Sequence, residues 1–165
     1  MELELIKKNK VFITLFSALL VFVHLLFEHF HGGIVTHFIL QDDSLPGISN
    51  WWGLLTFPLA TWVVLLRIEK RNNAKAALIY NEIDRNPLFK GFAAKEDRST
   101  MNATFNLVDE EAHKATFDAL AKEAGLSGIN GHRSVGGYRA SMYNALPIES
   151  VQALVDVMQA LEKQA

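Results

Sequence analysis

The chain contains no cysteine, so disulfide bridges, thiolate nucleophiles and thiolate metal ligands are all excluded. This composition fits a reducing compartment. Clustered positive charge is missing as well. The formal net charge is −2, and no basic face suited to a phosphate backbone is apparent, which argues against nucleic acid as a partner. No internal repeat or low-complexity tract occurs.

Apolar residues make up half of the 165 positions, but they are divided unevenly along the chain. Residues 11–68 contain two long apolar runs, whereas residues 69–165 have the mixed charge and moderate apolar content of a soluble domain. The two parts suit different solvents. We therefore predict a membrane region over residues 1–71 and a soluble domain over residues 72–165, which meet in a charged and polar junction.

The two apolar runs predict a transmembrane hairpin. The first span, predicted over residues 11–30, is nearly continuous and approaches the roughly 20 residues that a membrane-spanning helix needs. The second, over residues 51–68, opens with Trp51 and Trp52, which suit a lipid interface, and a membrane helix can tolerate its Pro58 as a kink. The many polar residues suggest part of a larger bundle from an unrelated, uncharacterised multi-span membrane protein.

Charged residues around the two runs predict their orientation. Lysine and arginine flank the outer ends of the hairpin, whereas the connecting loop carries aspartate and neither basic residue type. We therefore expect both termini on the cytoplasmic side of the inner membrane, with membrane lipid around the spans. The alternative for the first run is a cleaved signal peptide, although no small-residue cleavage pattern follows it. The flanking residues are Lys7, Lys8, Lys10, Arg67, Lys70 and Arg71, and the loop residues are Asp42 and Asp43.

His24, Glu28 and His31 recur at helical spacing and so share one face of the first predicted span. Imidazole and carboxylate groups are ligands of transition metals, which makes this face a candidate metal or haem site. In the alternative interpretation, His29, His31 and His37 lie in the wet interfacial zone and His24 packs against another helix.

The second part of the sequence predicts a small α+β domain of roughly 90 residues, enough for one modest core. Residues that favour helices, with apolar positions near the helical period, predict a helix over residues 74–83. A second helix should begin at the cap Asp109 and end at Gly125. Strands are predicted at residues 100–107, 126–129 and 138–143, a loop at residues 86–97, and a terminal helix with a buried stripe of Val151, Leu154, Val155, Met158 and Leu161.

Residues 131–141 bring two arginines and a histidine together among glycines, just before an apolar strand. Arginine presents a planar fork of donors that matches a carboxylate or a phosphate, and glycine allows the backbone to come close to a ligand. We predict an anion-binding loop with His132, Arg133 and Arg139 as its candidate binding residues. The alternative is a structural loop with solvated arginines.

Together with residues 143–147, this loop resembles the C-terminal part of phosphoserine aminotransferase, a class V pyridoxal-phosphate enzyme of fold type I. The resemblance runs from about Lys75 to the C-terminus, and Tyr138 stands where methionine is familiar in the bacterial enzymes. The other motifs that carry it are Lys75-Ala76, Leu78-Ile79-Tyr80, Ile83-Asp84 and the run from Arg98 to Asn102.

The resemblance implies that Arg139 binds the substrate α-carboxylate and that His132 and Arg133 help to bind the substrate phosphate. For the full family enzyme it implies a homodimer that converts O-phosphoserine and 2-oxoglutarate to 3-phosphooxypyruvate and glutamate in serine biosynthesis. The cofactor would be pyridoxal phosphate, whose chemistry needs a Schiff-base lysine on a large cofactor domain. In the family that domain lies upstream of the segment resembled here.

The lysines of the second part lack the context of a cofactor lysine, and we interpret them as solvated surface residues: Lys75, Lys90, Lys95, Lys114 and Lys122. We therefore predict a substrate-binding part that is catalytically inactive alone, joined to the membrane region by gene rearrangement or by an incorrectly joined reading frame. One alternative is a membrane-tethered domain that binds an anionic metabolite. Another is a membrane fragment whose histidines bind a metal or haem.

Overall fold

The computed structural model describes residues 2–42, 44–131 and 136–165, with side chains from residue 9 onward. It divides into two compact units, Met1–Arg67 and Ile68–Ala165. The boundary that we predicted between residues 71 and 72 stays a prediction. The elements in chain order are α1 (Glu2–Phe30), β1 (Thr36–Phe38), β2 (Gly47–Ser49), α2 (Gly53–Arg85), β3 (Phe89–Gly91), β4 (Asn102–Leu107), α3 (Glu110–Glu123), β5 (Tyr138–Ser141) and α4 (Ile148–Glu162).

The first unit contains α1, a short hairpin and the start of α2. Two segments, Asn9–Phe30 and Asn50–Arg85, are long and apolar enough to cross a membrane by length and composition, and 6% and 0% of their most apolar windows are buried. Most apolar side chains within these two windows therefore face outward, unlike those of a core helix in a soluble protein. Length and composition alone support the predicted membrane hairpin.

The loop between these helices contains an antiparallel ladder of β1 and β2 that the sequence patterns did not predict. A 3₁₀ turn at Asn50–Trp52 follows β2, and the Ser49 hydroxyl accepts a hydrogen bond from the Trp51 backbone at 3.4 Å. This turn leads directly into α2.

One continuous helix, α2, includes most of the second predicted span and all of the helix predicted at residues 74–83. The charged junction between them does not interrupt it, because residues 69–73 contain neither glycine nor proline. Pro58 lies inside the same helix.

The second unit is an α+β fold built on an antiparallel sheet with the strand order β3-β4-β5. Residues of β4 alternate between buried and half-buried, as expected for a strand with one face on the core. Four aromatic rings pack edge to face or stacked, with centroids 4.7 to 6.5 Å apart, on the inner face: Phe89, Phe105, Phe117 and Tyr138. Helices α2, α3 and α4 contribute further core residues, including Ile79, Ala121 and Leu154.

Several predicted elements of this unit are confirmed. The carboxylate of Asp109 accepts a hydrogen bond from the Ala112 backbone at 3.0 Å and so caps α3. Gly125 follows α3 with a φ of +73°, which favours glycine at a helix end. All five residues of the stripe predicted on the terminal helix are buried in α4.

Two local predictions are wrong. Residues 86–97 are not loop throughout, because they contain β3 and the 3₁₀ turn Lys95–Asp97; a strand of three residues is too short for a period to show. Residues 126–129 do not form a strand, since Gly128 has a φ of +70° and the only pairing nearby, within the described part, is an isolated bridge from Asn130 to Tyr138.

Candidate functional site

The backbone of the glycine-rich segment folds back on itself just before β5, and we call this contact between Gly131 and Gly137 the glycine closure. The Gly131 N–H donates to the Gly137 carbonyl at 2.8 Å, and Gly136 and Gly137 have φ angles of +75° and +64°. A β-carbon on Gly137 would overlap the side-chain amide of Asn106. Glycine is therefore required here both for the backbone angle and for the space. His132 and Arg133 lie outside the described residues, so their roles stay predictions.

Arg139 lies on β5 directly opposite Thr104 of β4, and its exposed side chain belongs to the outer face of the sheet. Its backbone N–H donates to the Ile129 carbonyl at 2.7 Å. Its guanidinium makes no hydrogen bond or ion pair with another described residue. A guanidinium without a described partner, on a strand paired in a sheet, can bind a carboxylate or a phosphate through two parallel hydrogen bonds.

A cavity of about 220 Å³ adjoins Arg139, with Thr104, Asn106 and the glycines Gly131 and Gly136 in its lining. By the alternation of the strands, the outer face of the sheet carries Lys90, Asn102, Thr104, Asn106, Arg139 and Ser141. This face therefore combines two cations with neutral hydrogen-bonding groups and has no carboxylate. It suits an anionic ligand.

The neighbour of Arg139 in β5 anchors the strand on its inner face. Tyr138 is 2% exposed, and its hydroxyl donates to Asp118 at 2.8 Å. Burial, together with the carboxylate of Asp118, raises the pKa of this phenol well above its usual range. The phenol therefore stays neutral and structural while Arg139 points outward.

The interpretation of Lys75 as a solvated surface residue is wrong. Its side chain is 1% exposed, and its ammonium donates to the carbonyls of Met142, Tyr143 and Leu146 at 2.8, 2.5 and 3.2 Å. Burial, with a smaller contribution from the charge of Arg71, lowers its pKa. Its position in line with the buried Ala76, Ile79 and Ile83 could have revealed it, because these spacings lie on one helix face.

The described lysines do not fit the Schiff-base role in pyridoxal-phosphate chemistry. The ammonium of Lys75 is engaged by three carbonyl oxygens, whereas Lys90, Lys95, Lys114 and Lys122 are exposed. A cofactor lysine must instead project into a closed pocket next to a phosphate cup. In the part of the chain described, we find no such arrangement.

In the part of the first unit that the structure describes, the candidate ligands His24, Glu28 and His31 are not grouped as a metal ion would require, and the site stays a prediction. His24 Nε2 lies 3.3 Å from Glu28 Oε1, but His31 Nδ1 is hydrogen-bonded to the Phe27 carbonyl at 2.8 Å. Glu28 accepts hydrogen bonds from the Asn50 amide at 2.6 Å and from a backbone N–H at 3.2 Å. Among the described residues, no group of three or more potential ligands is placed to hold a metal ion.

Solved structures that resemble this chain include aminotransferases. One phosphoserine aminotransferase structure matches 76% of the chain with a TM-score of 0.57 and 41% identity, and the match covers 35% of that enzyme. The phosphoserine aminotransferase of Bacillus circulans matches the same share at 36% identity and a TM-score of 0.53.

Curated proteins of similar sequence are phosphoserine aminotransferases. The phosphoserine aminotransferase of Flavobacterium johnsoniae is 72% identical over 95 residues, and that of Bacteroides thetaiotaomicron is 59% identical over 97 residues. Each match covers 58% of this chain but only 26% or 27% of the relative. No family model matches the chain. The chain thus spans about a quarter of the length of these relatives. Over the matched residues it is highly similar to the C-terminal part of a pyridoxal-phosphate-dependent aminotransferase.

Proposed function

We propose that the second unit is the substrate-binding C-terminal part of a phosphoserine aminotransferase. The observation that carries this proposal is the combination of 72% identity over 95 residues with an arginine on β5 that has no described partner beside a carboxylate-free cavity. The reaction of the complete enzyme would convert O-phosphoserine and 2-oxoglutarate to 3-phosphooxypyruvate and glutamate.

In this proposal Arg139 binds the α-carboxylate of the substrate, and His132 and Arg133 help to bind its phosphate. A bidentate arginine fixes both the position and the plane of a carboxylate. Further cationic groups select a phosphate over an uncharged side chain and restrict how the substrate turns. The role of these residues is therefore to bind and orient.

Pyridoxal phosphate would supply the electron sink of the reaction in the complete enzyme. The described residues do not provide its lysine, and the chain spans only about a quarter of the relatives. We therefore propose that these 165 residues do not transaminate alone and that they need the remaining segments, in the homodimer that the family resemblance implies.

We further propose that residues 1–71 are a membrane region from an unrelated multi-span protein. The apolar helices α1 and α2 support this by their length and their outward apolar side chains. Charge placement then predicts cytoplasmic termini at the inner membrane, with lipid around the spans. Long sequencing reads of genomic DNA and transcript across codons 67–75 would test the fusion, because a break in the reading frame there would separate the two parts.

Arg139→Ala tests the site directly. In calorimetric titration of the purified chain in detergent with O-phosphoserine, this substitution should weaken binding by about tenfold or more. Circular dichroism should stay unchanged because the side chain is exposed. Lys122→Ala, which removes an exposed cation from α3, is the matched control. Equal affinity of the Arg139→Ala and wild-type chains would contradict the assigned role.

Complementation separates the enzyme proposal from a tethered anion-binding domain. The chain would be mixed with a phosphoserine aminotransferase that lacks its own C-terminal region, and transamination would be measured. Restored activity supports the aminotransferase part. Binding of O-phosphoserine without restored activity favours the tethered binding domain instead.

A further inference from the structure

Lys75 is the most deeply buried cation of the second unit among the described residues, at 1% exposure. It is also fully engaged, because its three N–H groups face three carbonyl oxygens in residues 142–146. Burial of an ammonium group is costly unless hydrogen bonds replace its hydration. The three carbonyl oxygens take the place of water around the ammonium group, and each accepts a hydrogen bond from it.

The segment that Lys75 binds follows β5 immediately. Its first residue, Met142, also donates its N–H to the Met101 carbonyl at 2.7 Å, which continues the pairing of β5 with β4. Its last residue, Leu146, donates to the Tyr143 carbonyl at 2.9 Å and closes a turn. Lys75 therefore connects helix α2 to the point where the strand that carries Arg139 ends.

The other end of β5 is held by backbone contacts. Gly131 bonds to Gly137, and the Arg139 N–H bonds to the Ile129 carbonyl. Besides its pairing with β4, the strand is thus held at one end by a glycine closure and at the other by a buried ammonium. A displacement of about 1 Å at either end would carry the Arg139 guanidinium with it, and such misplacement is costly for binding.

We propose that Lys75 is a positioning residue for the anion site, and that its contacts with residues 142–146 set where the Arg139 guanidinium points. This inference rests on the proposed function of Arg139. It adds a residue on α2 that does not touch the ligand. Methionine at this position would fill similar space, but it would remove the ammonium donor from the carbonyls of Met142 and Leu146 and leave the Tyr143 carbonyl only its bond from the Leu146 N–H.

The charge state of Lys75 offers a readout that a purely structural role would not move. A neutral amine has two hydrogens for three carbonyls, so the contacts loosen as pH rises above the lowered pKa of Lys75. The charged groups around it are Lys70 and Arg71 on α2 and Glu149 on α4, which line the same cavity of about 350 Å³.

The experiment is calorimetric titration of the full chain in detergent with O-phosphoserine, for wild type, Lys75→Met and Lys122→Met. We expect Lys75→Met to weaken binding about tenfold with an unchanged circular dichroism spectrum, and Lys122→Met to bind like wild type. Because the amine of O-phosphoserine also loses its proton at alkaline pH, wild-type affinity is compared with that of Lys75→Arg, and it should fall more steeply as the pH rises. Lys75→Arg, which keeps a cation and donors, should recover part of the affinity.

The outcomes distinguish the two proposals. If wild type binds no O-phosphoserine, the proposed function fails and this inference fails with it. If wild type binds and a folded Lys75→Met binds equally well, only the role of Lys75 is overturned. If Lys75→Met does not fold, the pH profiles decide: an alkaline loss of affinity no steeper in wild type than in Lys75→Arg would overturn the inference.

Discussion

The two units carry similar apolar side chains but place them in opposite ways. In the first unit, Leu25 is the one buried apolar residue among the side chains described, while Phe16 is 50% exposed. In the second unit, Phe105 is fully buried inside a cluster of four aromatic rings. The difference shows how the spacing of apolar residues decides where they lie. A continuous apolar run gives a helix an apolar surface all round, which suits lipid. Apolar residues at a regular spacing give a strand or helix one apolar face, which suits a core in water.

Polar groups differ between the units in the same way. In the first unit, Glu28 is only partly buried and accepts hydrogen bonds from two groups of the adjoining loop, the Asn50 side chain and the Val35 backbone N–H. In the second, Lys75 and Glu82 are buried at 1% and 4% exposure, and each contacts groups far away in sequence. Long-range polar contacts of this kind require a core that already holds the partners in place.

The largest expected effect comes from a matched pair of phenylalanine truncations. Phe105→Ala should destabilise the second unit by about 3 to 5 kcal/mol, because it removes a fully buried ring. Phe16→Ala should leave that unit unchanged, since Phe16 belongs to the exposed apolar surface of the first. Amide hydrogen exchange of the β4 residues in the full chain would measure both. Equal acceleration of exchange in the two variants would break the distinction between the units.

A smaller effect is expected at the buried carboxylate of Glu82. It accepts hydrogen bonds from Arg85, Asn86 and Gln159; burial raises its pKa, but these hydrogen bonds outweigh burial and the net shift is downward. Glu82→Ala should cost about 2 kcal/mol in the free energy of unfolding, because it leaves buried donors unpaired. Urea unfolding followed by circular dichroism would measure this. Glu123→Ala, at an exposed site, should change stability by less than about 0.5 kcal/mol.

The smallest effect is a pH dependence from Asp84. Hydrogen bonds from Arg98, and secondarily from Lys95, lower the pKa of this carboxyl from 3.8 to about 2. Because the folded-state pKa is the lower one, the stabilisation is present above pH 3.8 and is lost as pH falls toward 2. After solvent screening it should amount to about 1 kcal/mol.

Asp84→Asn should remove this acid-dependent part of the unfolding free energy. The check is urea unfolding of the full chain at a series of pH values from 6 to 2, where the variant should show a shallower decline than wild type. Asp156→Asn, in an exposed position on α4, serves as the control. If the unfolding free energy of Asp84→Asn declined with pH as steeply as that of wild type, the contacts of Asp84 would not contribute to the acid-dependent stability.

Local pattern was sufficient for the elements that depend on neighbours in sequence. Alternation predicted β4, the cap at Asp109 and the glycine at 125 bounded α3, and the apolar period predicted the buried face of α4. Pattern was insufficient for β3, which is only three residues long, and for residues 126–129, where Gly128 adopts a left-handed angle. For the candidate site, the sequence pointed to Arg139 and the glycines, but it missed Lys75.

By itself, then, the sequence determined the division into two parts that suit different solvents, the main helices and the central strand, because these follow from periods of 3.6 and 2 and from the length of apolar runs. Only the tertiary structure decided that the charged junction continues as one helix, that Arg139 faces a cavity without a carboxylate, and that Lys75 is buried. The reason is physical: burial and hydrogen bonding of a side chain depend on partners such as residues 142–146, which are distant in sequence and meet it only in the folded unit.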